Sequence, residues 1–317
     1  MLLQQLVNGV MLGAVYALIA IGYTLIFGVL GMLHLAHGEV FMVGAFVGLV
    51  VTTAYSGNVM LALAAAMLAT GLLGVLIERV AFRPLRGAHH LAPLATTIGA
   101  GIALQETARW YFGPEQKGFP STIALRLWEI GPLRMSSVQV FILASAVVLM
   151  AAVSLFLART RAGRAVRATA EDPTVAGLLG VNVGAVIVLV FFVASALAGA
   201  AGVLVGLAYN SVHPFIGVQM GIKGLVVMLL GGLGNVPGAM VGGLVLGVLE
   251  VLGVAYFASS YRDAFAFVGN GDGLESLALM NPGLQRVELI GRQGRDEIET
   301  GVGERGSDDF GVGLVHN

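Results

Sequence analysis

The chain has 317 residues, 57% of them apolar and 11% charged, with a formal net charge of −1, 46 glycines and no cysteine. A charged fraction below half the ~25% of an average soluble domain excludes an ordinary water-soluble globule. The missing cysteines exclude disulfides, thiolate metal sites and a thiol nucleophile, and the near-zero charge leaves no electrostatic footprint for nucleic acid.

Segments of about 20 apolar residues are long enough to cross a bilayer, and the chain divides into about eight of them. The expected fold class is therefore all-α, a polytopic membrane helix bundle. The first span runs from about Leu6 to Leu30. No Lys or Arg precedes it, so it lacks the basic start of a cleaved leader and is expected to be retained. The second covers about Val40 to Ala54, or starts as early as His34, the third covers Val59 to Ile77, and the fourth Ala92 to Phe112. From Gly113 to Ser137 the chain is polar and carries Pro114, Pro120 and Pro132, which break helix and mark a loop outside the bilayer. The fifth and sixth spans lie near Val138 to Ala158 and Val183 to Ala208. After a His213-Pro214 turn come a brief stretch from Gly221 to Gly234, either a crossing or a re-entrant element, and a full-length span from Val236 to Phe257.

Glycines four residues apart let membrane helices approach closely. Gly9 with Gly13, Gly44 with Gly48, and Gly238 with Gly242 have this spacing and read as packing seams. The glycine-broken starts at Gly38 and at Pro237-Gly238 hint at an internal repeat.

Basic residues near span ends stay on the cytoplasmic side. Arg79, Arg83 and Arg86 follow the third span, and Arg159, Arg161, Arg164 and Arg167 follow the fifth, so both loops share one parity. The N-terminus is then expected outside.

Ionisable residues inside apolar spans are costly and face a partner or a watery path. Glu106 and Arg109, three apart, read as a self-neutralising pair, while Lys223 and Glu250 in the last two spans either pair with each other or leave one of them lining the pathway. Asn8, His34, Glu39 and Gln105 are the candidates for lining a solute pathway, on intramembrane polarity alone. His34, His37 and Glu39 also sketch a zinc site. A catalytic zinc needs about three ligands with outer support, and no matching motif lies elsewhere, so neither a metal site nor a catalytic residue is expected.

The stretch from Arg159 to Asn182 reads RTRAGRAVRATAEDPTVAGLLGVN. Arg164, Arg167 and Glu171 share one helix face by their spacing, and Pro173 and Gly177 punctuate the run. A solvated positive-inside loop explains it as well as a docking helix for a cytoplasmic partner does.

The residues Gly163, Arg164, Ala165, Arg167, Ala168, Glu171, Asp172, Ala176 and Gly180 match the pattern G-R-A-x-R-A-x-x-E-D-x-x-x-A-x-x-x-G. Together with HLAHGEVFMVGAF (His34 to Phe46) and LGGLGNVPGAMVGG (Leu230 to Gly243), they resemble branched-chain amino acid ABC transporter permeases of the Liv type. The likeness covers about residues 5 to 267, with its motifs in family order.

That resemblance implies one of two homologous permease subunits in a cell inner membrane, served by cytoplasmic ATP-binding subunits and an external solute-binding protein. It assigns Gly163, Arg164, Arg167, Glu171, Asp172 and Gly180 to the segment that couples to the ATPase. The chain has no phosphate loop of its own, because Lys223 is followed by glycine at the wrong spacing, so ATP is expected to be hydrolysed by the partners and no cofactor is expected here. The cargo implied is a branched-chain or other hydrophobic amino acid. Urea and short-chain amide permeases share the same motifs, and a membrane-embedded metal enzyme built on His34, His37 and Glu39 is the rival from another class.

The permease domain is expected to occupy residues 1–267. Residues 268–317 hold nine acidic residues against four arginines and no stretch apolar enough to span. Liv-type permeases would end there on one more apolar helix, so this tail reads as a reading-frame change and is expected to be disordered.

Overall fold

The computed structural model describes residues 2–55, 58–85, 91–120, 123, 126–130 and 133–256. The expected disorder of 268–317 falls outside them. One compact unit comprises Met1–Leu252, and a second begins at Gly253.

The described residues hold ten α-helices, a π turn (Glu78–Phe82) and a 3-10 turn (Arg83–Leu85) that extend the third of them, and two small antiparallel sheets. They are α1 (Leu2–Leu30), α2 (His37–Ala54), α3 (Val59–Ile77), α4 (Leu91–Phe112), β1 (Lys117–Gly118), β2 (Leu127–Ile130), β3 (Leu133–Ser136), α5 (Ser137–Arg159), α6 (Arg161–Glu171), α7 (Pro173–Leu178), α8 (Val183–Tyr209), β4 (Ser211–Val212), α9 (Ile216–Gly231) and α10 (Val236–Tyr256). Strand β1 pairs with β4, and β2 with β3.

Six helices, α1, α2, α3 with its extension to Leu85, α5, α8 and α10, are long and apolar enough to cross a membrane. Helix α9 is apolar but has only 16 residues, or about 24 Å against a hydrocarbon core of ~30 Å. Helix α4 has 22 residues, but Thr96, Thr97, Gln105, Glu106, Thr107 and Arg109 dilute its apolar character. The six long helices fall on six of the eight expected spans, while α4 and α9 occupy the places of the fourth span and of the brief stretch after the His213-Pro214 turn.

Side-chain caps fix most helix starts. Asn58 accepts from Leu61 N, Asn182 from Ala185 N and Asn235 from Gly238 N, while Ser136 and Gln139 close a capping box on α5. The starts of α2 and α9 differ: neither Ala36 nor Phe215 caps with a side chain.

Helices α1 and α8 are the centre. An unbroken run from Gly13 to Ile26 and another from Ala194 to Leu207 are buried on every side. Helices α3 and α5 instead expose Leu68, Leu72, Leu76, Val148 and Leu155, so their outward faces are apolar.

The chain builds one pattern twice. A long helix, a six-residue break, a shorter helix, a four-residue break and a third helix recur as α1–α2–α3 and α8–α9–α10, with breaks at 31–36, 55–58, 210–215 and 232–235. His37 N donates to His34 O at 3.1 Å in the first break, and Ile216 N donates to His213 O at 3.1 Å in the second. Packing follows the same correspondence. Gly202 of α8 abuts Ala45 of α2, as Gly224 of α9 abuts Tyr23 of α1. The start of α1 lies beside β3, where Gln4 accepts from Arg134 N at 2.9 Å, while the end of α8 leads into β4, which pairs with β1 of the same loop region. The two copies therefore run in opposite directions, as in inverted repeats. The hint from sequence paired Gly38 with Gly238; packing and break lengths pair Gly38 with Gly217 instead.

The glycine seams hold these helices together. A Cβ on Gly13 would stand 2.6 Å from Gly243 O, one on Gly9 2.7 Å from Val248 Cα, and one on Gly48 2.7 Å from a Val203 methyl. Gly44 lies directly against Gly199, and Gly238 against Gly231.

Candidate functional site

Helix α2 starts deep inside the bundle. Its first residue, His37, lies against Gly22 of α1, eight residues before α1 ends, and its ring centroid is 4.7 Å from that of Tyr23. Eight residues of helix amount to about 12 Å, so the break at 31–36 carries the chain back into the apolar layer. Helix α9 starts against the same place: a Cβ on Gly38 would meet Gly217 O, and also Gly221 Cα at 2.9 Å. The N-termini of α2 and α9, corresponding elements of the two copies, thus meet in the middle of the fold.

A cavity of about 140 Å³ opens at this junction, lined by Tyr23, Leu35, Glu39, Val218, Ile222, Leu225 and the glycines between them. Glu39 is 6% exposed, and its Oε2 has no hydrogen-bond partner. That oxygen points at Gly217, where an added Cβ would collide with it. Helix N-termini carry partial positive charge and unpaired N–H groups, so the junction combines one carboxylate with two electropositive helix ends in otherwise apolar walls.

His34 and His37 are fully buried, with ring centroids 5.9 Å apart. His34 packs at 5.4 Å on Phe82 and 5.5 Å on Phe191. Among the described residues no group of three or more His, Cys, Asp or Glu side chains is placed to hold a metal ion. These imidazoles fill an aromatic core beside the cavity.

A second feature lies at the other end of α5. Thr160 caps α6 by accepting from Gly163 N at 2.8 Å, and Gly163 fits against Phe156 O and Leu157, where no side chain would fit. Arg167 donates to Leu157 O at 2.7 Å, satisfying a carbonyl at the end of α5. Asp172 ends α6 and caps α7, accepting from Thr174 N at 2.7 Å and Val175 N at 3.0 Å. Gly180, at φ +85°, closes α7 with Val181 N bonded back to Ala176 O, a left-handed helix stop that suits glycine. Arg164 and Glu171 are exposed beside it, as are Val175, Leu178 and Leu179, the last two at 83% and 78%.

Residues 5–268 match the family described as the branched-chain amino acid transport system permease component. The chain belongs to this permease family. It is 40% identical over 310 residues to the high-affinity branched-chain amino acid transport system permease protein BraD of Pseudomonas aeruginosa, across 94% of this chain and 97% of that protein. That share is larger than residues 1–267, so the alignment continues into the tail. LivH of Escherichia coli K12, a permease protein of the same description, is 39% identical over 278 residues, 84% of this chain and 90% of that one. A probable branched-chain amino acid transport permease protein LivH of Methanocaldococcus jannaschii is 27% identical over 262 residues, covering 80% and 81%. No solved structure matches. The family is a transport component and not an enzyme, and this permease is a multi-pass membrane protein.

Within the permease, the polar residues singled out from sequence do not form one group. Glu39 lines the junction and His34 packs in the aromatic core beside it, while α4 reaches Glu39 through Gly101, whose Cβ would stand 3.4 Å from Glu39 Cγ. Gln105, half-buried, sits one turn beyond Gly101. Asn8 is elsewhere: it accepts from Gln139 at 3.2 Å and Gln4 at 3.4 Å, about four turns along α1 from Tyr23. It ties α1 to α5. Glu106 and Arg109 pair at 3.4 Å on an exposed surface, and Lys223 pairs with Glu250.

Sequence reasoning passed over Tyr23, Val218, Gly217, Leu178 and Leu179. Apolar residues at helical spacing look like core in any membrane span. Only Leu178-Leu179, after a proline-started turn in a polar stretch, carried a signal of exposure.

Proposed function

We propose that this permease is the membrane pathway of an ATP-driven importer of branched-chain amino acids in a cell inner membrane. It works with a homologous second permease, two cytoplasmic ATP-binding subunits and an external solute-binding protein. The observation that carries this reading is the α6–α7 hairpin, a rigid, doubly capped element presenting bare leucines at the end of the bundle that also holds Arg79, Arg83, Arg159 and Arg161.

The basic residues favour the cytoplasm for that end, which puts the N-terminus and the β1–β4 and β2–β3 sheets outside. Val175, Leu178 and Leu179 then face the ATP-binding subunit, with Arg164 and Glu171 at the rim of the contact. Gly163, Arg167, Asp172 and Gly180 act within the chain. They fix the angle between α5, α6 and α7, so that closure of the ATPase reaches α5 and α8 as a rigid-body shift. ATP chemistry belongs to the partners.

The test is uptake of radiolabelled leucine into vesicles carrying the permease with its partner subunits, with and without ATP. Leucine accumulation that requires ATP, and that unlabelled isoleucine and valine suppress while urea and acetamide do not, is the expected result. Uptake of urea or acetamide in place of leucine would overturn the cargo assignment.

A further inference from the structure

The junction of α2 and α9 breaks the symmetry of the repeat in a chemically directed way. The position corresponding to Glu39 in the second copy is Val218, and both line the same cavity. One wall therefore offers a carboxylate and the facing wall an aliphatic surface, continued by Ile222 and Leu225 and closed by Leu35. A Glu at the third position of a helix ordinarily reaches back to cap its own N-terminus. Glu39 does not: its Oε2 is buried without a partner and is directed across the gap at Gly217. Leaving a buried carboxylate oxygen unpaired is costly, and the cost is relieved when a cation enters. The first turn of α9 lacks a side-chain acceptor from Phe215 for the N–H groups of Gly217 and Val218, so it offers anion-binding donors within the same space.

We propose that this cavity holds the transported amino acid midway through the bilayer. The ammonium rests on Glu39, the carboxylate on the first-turn N–H groups of α9, and the branched side chain against Leu35, Val218, Ile222 and Leu225. The cavity volume is several times the ~30 Å³ share of one water, room for an aliphatic side chain. Glycine at 38, 217 and 221 is what brings the two helix ends close enough to face each other across it. The inference rests on the reading of the chain as a branched-chain amino acid permease and names the residues that reading leaves unassigned.

The experiment exploits the absence of cysteine from the chain. Ile222→Cys places one thiol on the cavity rim of the permease in the assembled transporter, and a small thiol reagent reports its accessibility. Leucine is expected to slow labelling at least about tenfold, the scale of a hydrogen bond to a charged group. 3-Methylbutylamine, which keeps the ammonium that Glu39 holds, should protect less than leucine but more than 4-methylpentanoate, the acid that lacks it. In a Glu39→Gln background the protection by leucine and the advantage of the amine should both disappear. Leucine uptake by the wild-type transporter is measured alongside. Absence of that uptake overturns the functional reading itself. Wild-type uptake without any leucine protection at Ile222→Cys, or full protection with Glu39→Gln, overturns the site alone. If Glu39→Gln does not assemble, the ranking of the two analogues against leucine in the Ile222→Cys transporter decides the matter.

Discussion

Lys223 on α9 lies 2.5 Å from Glu250 on α10, and Tyr16 of α1 joins both, donating to Glu250 at 3.0 Å and accepting from Lys223 at 2.8 Å. Three helices are thus tied by one charged cluster inside the apolar layer. Each charge keeps about a quarter of its side chain exposed, so the pair is less demanding than a fully buried one.

Removing one charge strands the other. Lys223→Met is expected to destabilise the permease by about 1–3 kcal/mol, below the ~3–5 kcal/mol of a fully buried pair. The double variant Lys223→Met with Glu250→Leu should recover most of that loss. Thermal unfolding in detergent of the two singles and the double measures the coupling, and additive losses would contradict it.

The seam glycines divide sharply by what surrounds them. Gly44→Ala drives a methyl into Gly199, and Gly13→Ala drives one into Gly243 O and Leu244 Cα, all backbone atoms that cannot move aside. Each is expected to cost more than about 3 kcal/mol or to prevent folding. Gly99→Ala on α4 meets nothing within 4 Å and should be neutral or stabilise by about 0.5–1 kcal/mol. Yields of monodisperse protein from the three variants separate the two classes.

Leu178→Asp with Leu179→Asp should abolish ATP-driven uptake while membrane insertion and thermal stability persist, because both side chains are bare and make no internal contact that folding needs. Recovery of the ATP-binding subunit on pull-down of the permease is the direct readout. Wild-type recovery together with wild-type uptake would refute the docking role of α7.

Arg167→Ala removes a donor from Leu157 O and loosens α6 from α5. A loss of about 1–2 kcal/mol is expected from one charge-assisted bond at a partly exposed site. Uptake should fall further than stability does, since the angle of the hairpin and not its presence transmits the movement. Gly180→Ala should behave alike, from strain at φ +85°. Uptake and melting temperature measured on the same preparations test the split.

Much of the architecture was legible in the residues. Leu6 to Leu30, Val59 to Ile77 and Val183 to Ala208 are continuous apolar runs, and each became a helix because only internal hydrogen bonding satisfies a backbone in lipid. Lys223 and Glu250 were readable as either partners or a pathway-lining charge, because unpaired charges at that depth are costly, and the structure pairs them. Boundaries set without a side-chain cap were harder to read. Helix α9 begins at Ile216, ahead of the expected Gly221, and α2 begins at His37, since both starts are determined by contact between distant glycines.

The sequence by itself determined that the chain lives in a membrane, how many apolar segments it contains, and through its ordered motifs which family it belongs to. These properties depend on composition and local spacing, which the bilayer reads directly. Only the tertiary structure decided that Gly38 faces Gly217, that Glu39 is left unpaired across from Val218, and that Asn8 is a tie between α1 and α5 instead of part of the same site. Such relationships arise where segments between 131 and 179 residues apart fold against each other. No local pattern records which of many small residues will be the one that touches.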